Sequence, residues 1–476
     1  MFRKISVILL FLIFFSLYFW IGLQAQRAGF ISQNNLFYAE KALLAIKGDP
    51  PRLENAGLVY PPLSSLMTFL PSYPFTGGAL IGALLSTLLM VWLGRAPHVS
   101  PITKVLFLII LLTSFPVLFL VTQKPAIVLF FTLFTLANLL LLQFHQLRYT
   151  QRLFLFGITY GLCFLAGYES MFLLPYYVVI CLSIIGLKNR GYFLSTALVI
   201  TIPALFFFAA WIYLNWIFTG DPLRFLHSPY SYFLALRGFT PFMAQTKRQI
   251  FASLSFVLIW SLPFALFYYF SLPFAGKKGR LVGIGPSTLI YLAPFCLLLL
   301  EVYLGLFHPS VFRLSLFLFF AAIFIPQIRQ RIVQKIIPLL LVVALVWGWW
   351  AAWKSPDREE QLFARIVLGS EVISLVAPYQ EIVNIVSKTK EKVLLDDAQL
   401  YSIVALDGVP QRYILPYNYE FGSALSQPSL FVEYVVVYAD PNKDRIAGAW
   451  PQVIDGHLPG FYPVLIQGDV SVFRRR

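Results

Sequence analysis

Charge is scarce in this chain. Only 12% of its 476 residues are Asp, Glu, Lys or Arg, and acids are scarcer still, with 21 against 36 basic residues. So little charge beside 59% hydrophobic and 17% aromatic residues excludes an ordinary soluble fold. Cysteine is nearly absent: Cys163, Cys181 and Cys296 all fall in apolar runs without paired spacing, so neither a disulfide framework nor a cysteine metal site is expected. There is no Walker-type glycine loop, zinc-ligand spacing or nucleophile elbow, which removes the usual sequence handles for ATP hydrolysis and soluble hydrolase chemistry.

What the chain does have is long uncharged runs, at 5–23, 77–93, 105–121, 126–142, 153–168, 170–187, 192–218, 250–275, 281–300, 314–328 and 336–353. An α-helix needs roughly 20 apolar residues to cross a bilayer core. Eleven transmembrane helices are therefore expected. The first run, between "MFRK" and "GLQAQ", also has the outline of a signal peptide, but its length favours an uncleaved anchor.

Basic residues in short connections stay on the cytoplasmic side. From a cytoplasmic N-terminus, alternate connections carry Arg95 and Lys104, Arg148 and Arg152, Lys188 and Arg190, Lys277, Lys278 and Arg280, and Arg329, Arg331 and Lys335. Short connections of opposite parity carry only Lys124. The six acids before residue 354 (Glu40, Asp49, Glu54, Glu169, Asp221 and Glu301) all fall at or beyond the outer face in this topology. The net charge of +15 is thus a membrane signature, with no nucleic-acid partner implied. The expected location is the cell (plasma or inner) membrane, with membrane lipids as surroundings.

This gives a polytopic α-helical membrane domain at 1–353, with outer loops at 24–76 and 219–249, and a small extracytoplasmic α/β domain at 354–476. In the latter, "KVLLDD", "RYILPY", "VEYVVVYAD" and "YPVLIQGDVSVFRR" read as strands, with helices near 360–389 and 398–406. Asp396 and Asp397 read as a solvated strand terminus.

The first outer loop contains "SQNNLFYAEKALLAIKGDPPRLENAGLVYPPL". Ala39, Leu43 and Ile46 have helical spacing, predicting an amphipathic helix along the outer interface, stopped by Pro50 and Pro51. Asparagine is a preferred helix cap, so Asn34 and Asn35 read as the N-cap of a helix over 36–47. "VYPPL" at 59–63 is an extended return toward the second span.

These features, a single N-terminal span, a loop of the type acid-acid-x-x-Tyr-Ala-Glu, a "GD" helix end and a "YPP" re-entry, resemble the GT-C superfamily of membrane glycosyltransferases. The resemblance is greatest to the branch containing protein O-mannosyltransferases and aminoarabinose transferases. It continues through "FGITYGLCFLAGYESMFLLPYYVVICL" at 156–182 and "TGDPLRFLHSPYS" at 219–231. It implies transfer of a sugar from a polyprenyl-phosphate donor at the outer face, with the first-loop acid as general base or as part of a divalent-cation site.

Asn34 and Asn35 stand where that pattern has its acids, and an amide cannot act as a base. Either the chemistry has been lost, or another outer carboxylate supplies the base, with Glu40 and Glu169 foremost. Glu169, in "GYES", sits at membrane depth, where a charge must pair or face a cavity. Lys124, Glu301 and Arg313 lie near outer ends of spans. Lys124 and Arg313, then Arg224 and His227, are the candidate phosphate partners. Tyr60 is a candidate for lining an acceptor groove, while Phe225, Tyr230, Tyr232 and Phe233 read as sugar-stacking residues or interfacial anchors. Two other functions fit the same pattern: a non-catalytic scaffold or partner protein of the cell envelope, and a lipid or solute transporter.

Overall fold

A computed structural model describes residues 2–52, 55, 58–185, 190–227, 285–304, 310–328, 331–370 and 374–476, with isolated positions at 251, 254–255 and 258–259. Among the described residues, seven helices are long and apolar enough to cross a membrane, or eight if one bent pair forms a single span. The protein is therefore membrane-embedded. The seven are Ser6–Arg27, Thr76–Gly94, Pro125–Leu147, Tyr168–Ile185, Gly191–Thr219, Pro286–Leu304 and Val333–Trp353. Two shorter apolar helices, Thr150–Ala166 and Val311–Gln327, match two more of the expected runs. The expected span at 250–275 and most of the second outer loop, including Tyr230, Tyr232 and Phe233, lie outside the described residues, as does Glu54.

The chain divides into two compact units. The first comprises 1–22, 58–64 and 78–370, and the second comprises 23–57, 65–77 and 371–476. This division differs from a boundary at 353: the first outer segment groups with the C-terminal sheet, and the helix Arg358–Val367 groups with the spans.

In the first unit, breaks between helices have local causes. Pro101–Thr113 and Phe115–Gln123 meet at a 45° bend, at Ser114 just ahead of Pro116. Lys124 precedes Pro125, and a pre-proline residue is kept out of the α region. It adopts φ −131° and ψ 63°, ending one helix before the next begins. Gly167 is extended at φ −163°, separating Thr150–Ala166 from a 3₁₀ segment, Tyr168–Leu173, that carries Glu169. Close approach of helices depends on small residues. A Cβ on Gly82 would collide with Val121, and Tyr18 donates from its hydroxyl to the Leu111 carbonyl at 2.9 Å.

The second unit is built on a five-stranded sheet. Its strands are β1 (Lys392–Leu395), β2 (Tyr413–Ile414), β3 (Val432–Tyr438), β4 (Phe461–Gln467) and β5 (Val470–Arg475). Their order is β2-β1-β3-β5-β4, with β1 parallel to both neighbours and β5 antiparallel to β3 and β4. Buried on both faces, β1 and β3 need apolar residues at every position rather than alternate ones, and "VLL" and "VVV" provide them. The β4–β5 hairpin turns at Gly468, whose φ of 57° suits a residue without Cβ.

The helix Gln33–Lys47 belongs to this unit. Leu44 joins the same core as Ile382, Val393, Leu395, Leu400 and Val436. The expected interfacial helix thus has a protein partner: Ala39 and Leu43 are buried, while Ile46, expected on the same stripe, is 59% exposed. Its last turn is tied down by Asn55, whose side-chain amide donates to the carbonyls of Leu44 (3.3 Å) and Pro50 (2.7 Å).

Candidate functional site

Several of the residues singled out in the sequence fall into two polar clusters, one in each unit. In the second unit, the N-cap of the helix Gln33–Lys47 is Ser32, not the asparagines. The Ser32 side chain accepts from the Asn35 amide at 3.2 Å, which places Asn34 and Asn35 inside the first turn. Gln33 accepts from the hydroxyls of Tyr401 (2.9 Å) and Ser402 (3.2 Å). Asn35 is buried and Asn34 partly so. Ser32→Ala is expected to cost about 1 kcal/mol of stability through loss of the cap, measured by thermal unfolding in detergent. An equal loss in Asn34→Ala would return the capping role to the asparagine.

Glu40, the acid of the motif, has no exposed surface. The Lys41 ammonium lies 3.0 Å from the Glu40 carboxyl and 2.8 Å from that of Asp397. Burial pushes the Glu40 carboxyl well above the ordinary carboxylate range; Lys41 opposes this and the Asp397 charge adds to it. For Asp397, burial acts upward but is outweighed by Lys41 and by a hydrogen bond from Glu40, so its carboxyl is held below the ordinary value. The two carboxyls are thus pushed in opposite directions, Glu40 toward its protonated form and Asp397 toward its ionised form. Glu40 is enclosed within the protein beside the Lys41 ammonium. Asp396 is not a solvated strand end either: it is buried, caps the helix Asp397–Asp407 through the Ala398 amide (3.0 Å) and accepts from the Arg445 amide (2.9 Å).

The first unit gathers the other cluster. The Lys124 ammonium lies 5.4 Å from the centre of the Phe119 ring and 6.0 Å from that of Phe312. The Arg313 guanidinium lies 5.6 Å from the same Phe312 ring. Both cations expected to meet phosphate thus share one aromatic side chain, within cation–π range. Each also has a carboxylate: Lys124 pairs with Glu359 at 2.9 Å, and Arg313 pairs with Glu301. Glu169 is buried within charge–charge range of Glu301.

Glu360 fixes the turn that carries Phe312 and Arg313. Its carboxylate accepts the backbone amides of Val311 and Phe312, each at 2.9 Å. Sequence reading missed Glu359 and Glu360. The available signal was "DREE", an acidic run just past the last span, where acids at a helix start need no further explanation.

Tyr60 lies on the segment 58–64, which docks beside Glu169: Leu58 packs in one cluster with Tyr168, and Ser64 donates to the Ala166 carbonyl at 3.1 Å. Arg224 and His227 are not brought into the charge cluster by any described contact. His227 sits 3.3 Å from Asp221 on the exposed surface. Phe225 is fully buried against Phe164, Tyr168 and Trp211, so it is a packing residue and neither stacks on a sugar nor anchors at the interface.

Among the described residues no group of three or more His, Cys, Asp or Glu side chains is placed to hold a metal ion. Between Glu40 and Asp397 the cation is the Lys41 ammonium, so the first-loop site does not fit a divalent ion. No protein-family model matches the chain, and no curated protein matches it.

Proposed function

We propose that the protein is a GT-C-like membrane glycosyltransferase, transferring a sugar from a polyprenyl-phosphate donor to an acceptor hydroxyl at the outer face of the cell membrane. The observation that carries this reading is the shared seat of Lys124 and Arg313 on Phe312, with Glu301 paired to Arg313. Ionisable groups at the ends of apolar helices are costly and mark functional sites. Two cations suit a phosphate that gains charge as it leaves, and in this reading Glu169 takes the acceptor's proton. In the reaction, the acceptor oxygen bonds to the anomeric carbon, the bond from that carbon to the phosphate oxygen breaks, and polyprenyl phosphate departs.

A second reading, a non-catalytic scaffold of this fold, is favoured by the two ion pairs, which already satisfy both cations, and by the amides in place of acids. Purified protein in nanodiscs, offered a panel of polyprenyl-phosphate sugars, distinguishes the two. Donor consumption that is lost in Glu169→Gln supports the enzyme, and neither binding nor consumption of any donor defeats it.

The proposed topology has eleven spans, a cytoplasmic N-terminus and an outer C-terminal domain. Reporter fusions at Lys278 and Arg331 are expected to read as cytoplasmic, and one at Glu420 as external. A cytoplasmic Glu420 fusion would overturn the orientation and the outer-face site with it.

A further inference from the structure

We infer that Glu359 is an internal competitor of phosphate: its carboxylate occupies the anion position on Lys124, and a phosphate ligand binds by displacing it. The inference rests on the proposal that Lys124 recognises phosphate. Carboxylate and phosphate oxygens accept from an ammonium at the same short distance, and the Glu359–Lys124 separation of 2.9 Å falls in that range. The pair is also reachable, with the Lys124 and Glu359 side chains 13% and 17% exposed.

The two successive glutamates differ in what holds them. The Glu360 carboxylate, without exposed surface, is committed to the backbone of the Phe312 turn. Glu359 lies in the first turn of the helix Arg358–Val367, with its backbone amide held by the Asp357 cap at 2.8 Å. The helix start is therefore fixed independently of where the Glu359 carboxylate points. Moving the Glu359 carboxylate off Lys124 needs no movement of the helix start, and the ammonium keeps its seat against Phe119 and Phe312.

A ligand that must displace a bound competitor loses apparent affinity in proportion to the unoccupied fraction. Neutralising Glu359 is accordingly expected to tighten binding, a gain that damage to folding does not imitate. The test uses full-length protein in phosphatidylcholine nanodiscs, titrated with undecaprenyl phosphate and, separately, with inorganic phosphate.

Glu359→Gln is expected to bind undecaprenyl phosphate about tenfold tighter than the wild type, and the double variant with Lys124→Gln is expected to lose that gain. If Glu359→Gln does not fold, Glu359→Asp, which shortens the reach to Lys124, is expected to show a smaller gain. Tightening toward the lipid alone assigns the position to a lipid headgroup, and tightening toward both probes assigns it to the phosphate group itself. Wild-type binding with no gain in a folded variant overturns the inference and leaves the phosphate site standing. If neither wild type nor variants bind either probe, the phosphate site falls and the inference with it.

Discussion

Arg313→Gln is expected to destabilise the protein by about 3–5 kcal/mol, because it leaves Glu301 buried without its cation. The double variant Arg313→Gln with Glu301→Gln is expected to recover most of that loss, since two amides of similar shape need no counter-charge. Thermal unfolding in detergent reads both. Undecaprenyl phosphate binding should be absent in the double variant even though it is folded, because the guanidinium that would meet phosphate is gone. The single variant cannot make this distinction, since loss of folding and loss of binding coincide in it. A folded double variant that binds with wild-type affinity would reduce Arg313 to a structural partner of Glu301 and remove half of the proposed phosphate seat. A single variant as stable as the wild type would instead show that the pair carries no stabilisation.

Most of the apolar runs were legible as helices or strands because they rest on local pattern, although only seven or eight of the described helices are long and apolar enough to span, and the last strand run folds as two strands. Lys124 could be placed at the end of a span because it falls between two uncharged runs, and Glu169 at membrane depth because "GYES" falls between two others. The strands of the C-terminal sheet follow their apolar runs. The first outer helix was legible as a helix, but its partner was not. Leu44 and Lys41 meet residues roughly 350 positions away, and nothing in a local window encodes that encounter. The cap was misassigned because "SQNN" offers three capping residues, one Ser and two Asn, in four positions, and propensity alone does not rank them in place. Phe225 misled for a similar reason: an aromatic residue in a loop beside a span has the composition of an interfacial anchor, and only packing against Tyr168 and Trp211 shows that it is core. The charge cluster was half visible. Its cations stood out because the surrounding runs are uncharged, whereas Glu359 and Glu360 were hidden among the ordinary acids that follow the last span.

The upward push that burial exerts on the Glu40 carboxyl gives the molecule a pH dependence of definite sign. Glu40 is raised above its ordinary value of 4.5, so between that pH and its folded value the folded protein binds a proton that the unfolded chain has released. Stability from this group is full below about 4.5 and falls as pH rises toward the folded value. Asp397, held below its ordinary 3.8, acts in the opposite sense, losing its contribution only as pH drops below that value. Asp444 and Glu360, pushed up to about 7 mainly by burial, share the sign of Glu40, so the wild-type slope alone cannot identify it. The comparison with Glu40→Gln can. The amide keeps the shape but has no proton to lose. Its stability relative to the wild type is expected to grow by about 1.4 kcal/mol per pH unit from about 4.5 up to the folded value of Glu40, read as unfolding midpoints from pH 5 to 8. Parallel curves for the two proteins would show that Glu40 is ionised in the fold. The same variant separates the two roles considered for this acid: with Glu40 as a buried structural group, Glu40→Gln leaves the proposed sugar transfer unchanged, whereas with Glu40 as a general base it would lower that transfer by about two orders of magnitude or more.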